Sequence, residues 1–260
     1  MNIIINNPQK AECFASLFQH IRVFTDNVNI IFEKDRFYMQ TMDSSKISIL
    51  EISIPSDWFD VYEHKEANSI TLGMNTSILF KILNSRDKTQ QINIVYNNSD
   101  DKLCFHFTSD NKAEFDKHFE ISLMDIDMEM MSIPEIEYQA EFTLGSHNFA
   151  NIIHQLEMFG DSLDINCSED KILLCASSNE QGKMFVEIKI DDLSEFTIDE
   201  GESVELSFSL KLLHNICLYN KISKEIELKF SNNYPLKIIY KLIGHENASM
   251  VFYLAPKINE

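Results

Sequence analysis

The chain has 260 residues, is 44% hydrophobic and carries a formal net charge of −19, so it is long enough for one large domain or two ordinary ones with true cores. That acidic total excludes a uniformly basic nucleic-acid-binding surface. No apolar run reaches the roughly 18 residues of a membrane-spanning helix, and no charged segment leads into an apolar stretch and cleavage site at the N-terminus, so a globular intracellular protein without a membrane partner is expected.

The elements repeat. Phe14, Leu17, Phe18 and Ile21 recur at helical spacing and predict an amphipathic helix lying on a sheet. Residues 29–32, 36–39 and 46–54 then alternate with period 2, as in Ile47-Ser48-Ile49-Leu50-Glu51-Ile52, and predict antiparallel strands. A second helix is expected around Leu79-Phe80-Lys81-Ile82-Leu83-Asn84. The acidic, methionine-containing stretch 123–138 is the best linker, holding one of only five prolines. Beyond it the pattern returns. Phe149, Ile152, Ile153 and Leu156 repeat the first helical stripe, and Phe14-Ala15 through Asn29-Ile30 matches Phe149-Ala150 through Asp164-Ile165 without a gap, at an offset of 135. Leu210-Lys211-Leu212-Leu213-His214-Asn215 matches the second helix, its lysine 130 residues after Lys81. The division expected is a domain over 1–122, a connector over 123–138 and a similar domain over 139–260, each domain an α+β layer of two helices on antiparallel sheet.

Little else in the sequence suggests chemistry. Cys13, Cys104, Cys167, Cys175 and Cys217 are scattered and never closely paired, so they read as reduced, mostly buried hydrophobes. With six glycines there is no glycine-rich phosphate loop, nor a helix with His at i and i+4, nor a nucleophile elbow. Asp125 with Asp127, and Asp191 with Asp192, read as acidic surface loops rather than metal ligands. No catalysis, cofactor or metal is expected.

Four strings add a family resemblance: Met42-Asp43-Ser44-Ser45, Leu123-Met124-Asp125-Ile126-Asp127, Ile133-Pro134-Glu135 ending in Tyr138, and Phe252-Tyr253-Leu254-Ala255-Pro256-Lys257-Ile258. In this order, on a duplicated architecture, the chain resembles proliferating cell nuclear antigen (PCNA), the DNA sliding clamp of eukaryotes, archaea and some large DNA viruses. The resemblance implies a ring-shaped homotrimer of pseudo-sixfold symmetry that encircles double-stranded DNA without reading its sequence. It further implies a non-catalytic processivity factor for DNA replication and repair, opened by an ATP-driven clamp loader and acting in the nucleus, or at a viral replication site if virus-encoded. The alternatives of the same fold are a non-ring viral processivity factor and a subunit of a heterotrimeric checkpoint clamp.

The family's helices line the hole. Residues 8–24, 74–86, 147–159 and 209–221 hold six cations (Lys10, Arg22, Lys81, Arg86, Lys211, Lys221) against Glu12 and Glu157, a formal +4 that leaves −23 elsewhere. Those cations, with His154, are the expected DNA-facing residues; His20, His147 and His214 lie on the same segments. The lining is less basic than in relatives, since Ala15, Ser16, Asn84, Asn151 and Leu218 stand where the family commonly has lysine or arginine. The resemblance also implies a strand pairing between subunits, 115–122 of one with 183–190 of the next, carried by Phe115, Phe119, Met184 and Val186.

DNA polymerases and other proteins bearing a PCNA-interacting peptide (a glutamine, an aliphatic residue and two aromatics) are expected in an apolar groove. Its implied residues are Met42, Lys46, Ile47, Ile49, Met131, Ile133, Pro134, Pro235, Tyr253, Ala255, Pro256 and Ile258. Glu169 occupies the place of a lysine that many eukaryotic relatives ubiquitinate, so that switch is expected to be missing.

Overall fold

A computed structural model of the chain describes residues 1–97, 102–111, 114–232 and 234–257. Its first half contains strands β1 (Asn2–Ile5), β2 (Asn27–Phe32), β3 (Arg36–Met42), β4 (Ser48–Pro55), β5 (Val61–Glu63), β6 (Ile70–Asn75), β7 (Gln91–Tyr96), β8 (Lys102–Thr108) and β9 (Lys117–Ser122), with α1 (Pro8–Leu17) after β1 and α2 (Thr76–Asn84) after β6. Its second half contains β10 (Ala140–Gly145), β11 (Ser162–Cys167), β12 (Lys171–Ser178), β13 (Gly182–Lys189), β14 (Glu195–Ile198), β15 (Val204–Ser209), β16 (Glu225–Phe230), β17 (Leu236–Lys241) and β18 (Ser249–Leu254), with α3 (Ser146–Leu156) after β10 and α4 (Leu210–Cys217) after β15.

Strand order shows the duplication. In the first half the neighbours run β5-β1-β7-β8-β9 and β4-β3-β2-β6; in the second they run β14-β10-β16-β17-β18 and β13-β12-β11-β15. Adding nine to every strand number of the first half gives the second. The 135-residue offset read from the sequence is the distance from the start of β2 to the start of β11, and from β3 to β12.

The chain forms two compact units. Met1–Ser44, Leu50–Met131 and Lys241–Met250 make the first; Ser45–Ile49, Ser132–Tyr240 and Val251–Glu260 make the second. Residues 123–131 of the expected connector thus pack with the first unit.

Local physics explains the elements. Asn7 caps α1, its Oδ1 accepting from the N–H groups of Gln9 (2.9 Å) and Lys10 (3.2 Å), with Pro8 at the first helical position. Asn75 caps α2 in the same way through Ser77 and Ile78. Strands β2, β4 and β12 alternate buried and accessible residues, so one sheet face lies under the core. The first unit's core is aromatic: Phe14, Phe18, Phe32, Phe37 and Phe59 stand edge-on or tilted at centroid distances of 5.3 to 6.5 Å. In the second, Phe142 stacks on Phe230 at 5.2 Å, and Tyr219 and Tyr240 flank Phe252.

The helices are shorter than the segments 8–24, 74–86, 147–159 and 209–221. After Leu17 the bonds shorten, with Phe18 N donating to Ala15 O and Gln19 N to Ser16 O, and a 3₁₀ turn over Ile21–Val23 follows. Phe18, Ile21 and Phe24 stay buried through that turn, which is why the apolar period outlasts the helix. Arg22 therefore lies on the 3₁₀ turn, and Arg86 and Lys221 lie beyond the ends of α2 and α4.

All five cysteines are free. Burial pushes the thiols of Cys13 and Cys167 up to about 11 and that of Cys217 up to about 12, so these three are inert packing groups. Among the described residues, no helix is long and apolar enough to cross a membrane.

Candidate functional site

The cations of the helical segments fall into two groups. Arg22, Lys81, Lys211 and Lys221 are exposed, as is His154; the Arg22 guanidinium lies over the Phe80 ring at 4.5 Å, which orients it and leaves its charge accessible. Arg86 is different. Its side chain is 1% exposed, and Nη1 donates to the carbonyls of Asp87 (3.0 Å), Lys88 (3.1 Å) and Gln90 (2.8 Å) while Nη2 meets Glu12 at 2.5 Å. Burial lowers its pKa, opposed by Glu12. Arg86 closes the turn after α2 and has no charge to offer a phosphate, which corrects its assignment as a DNA-facing residue. Lys10 is half-buried: Nζ donates to Trp58 O at 2.6 Å and sits 5.2 Å from the centroid of the Trp58 ring. That tie makes it a support for Trp58, whose Nε1 donates to Ile243 O at 2.8 Å.

In the first unit, three residues of adjacent strands hold the connector by its backbone. Met124 N donates to Gly73 O at 2.9 Å; a Cβ at position 73 would stand 2.2 Å from Met124 O, so only glycine admits the approach. Asn29 Nδ2 donates to Ile126 O at 3.0 Å. Gln40, 4% exposed, donates from Nε2 to Met131 O (3.1 Å) and accepts from Met131 N at Oε1 (2.7 Å). Gly73, Asn29 and Gln40 lie on β6, β2 and β3, so the connector crosses those strands and is pinned at each. Its side chains remain accessible: Met124, Met130 and Met131 are 41%, 44% and 46% exposed.

In the second unit, Ala255 N donates to Ile47 O at 3.0 Å and Lys257 N to Ser207 O at 2.7 Å, which fixes the chain after β18. Ile47 is 42% exposed; Lys46 precedes it with φ of 57°. Tyr253 is nearly buried, with Lys237 Nζ 5.7 Å from its ring centroid. Pro134 and Pro235 are exposed, while Met42, Ile49, Ile133, Ala255 and Pro256 are half-buried. Ile258 lies outside the described residues.

Two sheets end in accessible strands. β9 closes one side of β5-β1-β7-β8-β9, and β13 closes one side of β13-β12-β11-β15. Just before β9, the Phe115 carbonyl accepts from Gln90 Nε2 at 2.8 Å while the ring is 84% exposed. Phe119 is half-buried against Phe107, with centroids 5.5 Å apart. On β13, Met184 and Val186 are half-buried and alternate with Phe185, which is 68% exposed.

The chain matches two family models: Proliferating cell nuclear antigen, N-terminal domain, over residues 6–130, and Proliferating cell nuclear antigen, C-terminal domain, over residues 132–258. The chain belongs to the proliferating cell nuclear antigen family. Its two α+β halves are the family's two domains, and its fold is that of a sliding clamp.

Against this family background, sequence reasoning missed three features. Gln40 gave no signal, because its partner is a backbone 91 residues away. Phe185 was legible in principle, as a large apolar residue on the solvent phase of an alternating strand. His154 on α3, Glu157 at its C-terminal cap and His214 on α4 come together, with His214 Nδ1 at 3.0 Å from Glu157 Oε2 and the two imidazoles 5.7 Å apart. His154 and Glu157 share a helix face at i and i+3, but only the fold brings His214 beside them.

Proposed function

We propose that this chain is the subunit of a homotrimeric ring that encircles double-stranded DNA and tethers DNA polymerase and other peptide-bearing partners to it, without catalysis of its own. The observation that carries the reading is the pair of accessible edge strands β9 and β13 within a duplicated topology. By the nine-strand equivalence, β9 corresponds to β18 and β13 to β4. The residues just after β18 and just before β4 are already hydrogen-bonded, Ala255 to Ile47. Pairing β9 of one subunit with β13 of the next repeats that arrangement between chains, satisfies two open ladders and covers Phe115 and Phe185. Such a head-to-tail contact is heterologous, and it closes into a ring when the rotation per subunit divides the circle.

DNA contact in this reading is weak and sequence-independent. The accessible helical cations reduce to Arg22 and Lys81 in the first unit and to Lys211 and Lys221, with His154, in the second, so retention comes from ring closure and the acidic outer surface repels DNA. The connector methionines of the first unit, and separately Ile47 with Tyr253 in the second, offer adaptable apolar surface for partner peptides. Loading by an ATP-driven partner, and action in the nucleus or at a viral replication site, belong to the same reading.

Light scattering over a dilution series, combined with retention on circular and linear DNA, tests it. The expected result is a trimer kept on closed circles and lost from linear ends. A monomer at all concentrations, or equal loss from both DNA forms, overturns it.

A further inference from the structure

The geometry points to a transition-metal site of the zinc class on the second unit, formed by His154 of α3, Glu157 at its C-terminal cap and His214 of α4. The ligand atoms of the three side chains lie within 4.8 Å of one another, and one pair, His214 Nδ1 and Glu157 Oε2, is already at 3.0 Å. A tetrahedral zinc with bonds of about 2.0–2.1 Å holds its ligand atoms about 3.3 Å apart. His214 and Glu157 meet that spacing as they stand. His154 is exposed, so a rotation of its side chain brings its imidazole in without moving the helix. The backbone under the site is firm: Glu157 N donates to Ile153 O at 3.0 Å, and Phe149, Ile153, Leu156, Leu210 and Leu213 are 0% exposed.

Two imidazole nitrogens and one carboxylate oxygen suit zinc, not calcium or magnesium, which take oxygen ligands. Three protein ligands leave a fourth position open toward solvent, for water or an oxygen donor such as a phosphate. With both imidazoles neutral, a bound divalent ion converts the local charge from −1 to +1 on the surface that carries Lys211. The site lies within one chain and does not require the ring, so it goes beyond the functional reading above.

Cobalt(II) titration of the full chain under reducing conditions, followed by zinc displacement, tests the site. A single equivalent with the visible d–d bands of tetrahedral cobalt is expected, without thiolate charge-transfer absorption, and zinc is expected to displace it. His154→Ala, Glu157→Gln and His214→Ala should each weaken binding by more than the roughly tenfold cost of losing a hydrogen-bond partner of a ligand. His147→Ala, on the same helix outside the cluster, should change nothing. The three side chains are accessible, so the metal-free variants should melt with the wild type, and zinc should raise the melting temperature of wild type alone. Octahedral spectra, no binding, or tetrahedral bands that survive all three substitutions overturn the site and leave a surface pair of His214 with Glu157.

Discussion

Gln40 and Arg86 are polar side chains turned inward, and each holds backbone rather than ligand. Gln40 presents an amide to the amide of Met131 and also donates to the Tyr38 hydroxyl, so losing it removes three hydrogen bonds and leaves a backbone pair facing a hole. Gln40→Ala should cost about 1–3 kcal/mol, measurable by urea unfolding, and should weaken a partner peptide in a fluorescence titration because the connector is no longer held. Arg86→Ala strips donors from three carbonyls and should cost roughly 3 kcal/mol. Arg86→Lys should recover little, since an ammonium cannot span the positions a guanidinium fork reaches. Retention of folded Arg86→Ala protein on closed circular DNA should equal that of wild type; a selective loss would return Arg86 to the DNA-facing set. Sequence could not separate Arg86 from Lys81, because both follow the same apolar stripe and only the turn after α2 decides which one is buried.

At the level of elements, the β8–β9 ladder carries a histidine, His106, that responds to acid. His106 Nδ1 and His118 Nδ1 lie 2.6 Å apart across it, one donating and the other accepting. Burial, with His118 adding to it, holds His106 below its ordinary value of 6.5. Between the two values the unfolded chain binds more protons than the folded one, so stability is full above 6.5 and falls as pH drops toward the folded value. Urea melts at about pH 7.5 and about pH 5.5 should show this loss, and His106→Asn should flatten the difference. On the connector, Gly73→Ala forces a Cβ against Met124 O and should cost about 1–3 kcal/mol, read as a lower urea midpoint. The elements themselves were legible: the repeat, both helical stripes and the alternating strands appear in the residue order. Helix ends were not, because Phe18, Ile21 and Phe24 keep a helical period of burial through a 3₁₀ turn that hydropathy cannot distinguish from helix. The Asn7 and Asn75 caps were readable signals at the other ends.

For the whole molecule, the testable quantity is association. Phe115→Asp and Phe185→Asp each place a charge on an accessible edge, and each should weaken self-association by about 2 kcal/mol or more with the circular dichroism spectrum unchanged. Light scattering of each variant beside wild type checks this; unchanged association in both would remove β9 and β13 as the contact. Net charge was the poorest guide at this scale. A total of −19 describes the average surface, whereas the exposed cations, two in each unit, sit on the helical segments, and only placement along the chain separates them.

The strand order has a kinetic side. β1 is made before both of its partners, β5 and β7, and Met1 donates to Tyr96 O across 95 residues. Such distant closures make refolding slow. Because β10 is built to occupy the same position in the other copy, a refolding chain can recruit the wrong twin into its first sheet. Synthesis from the N-terminus avoids that error by letting the first copy close before the second emerges, so dilution from denaturant should yield less native protein than translation does.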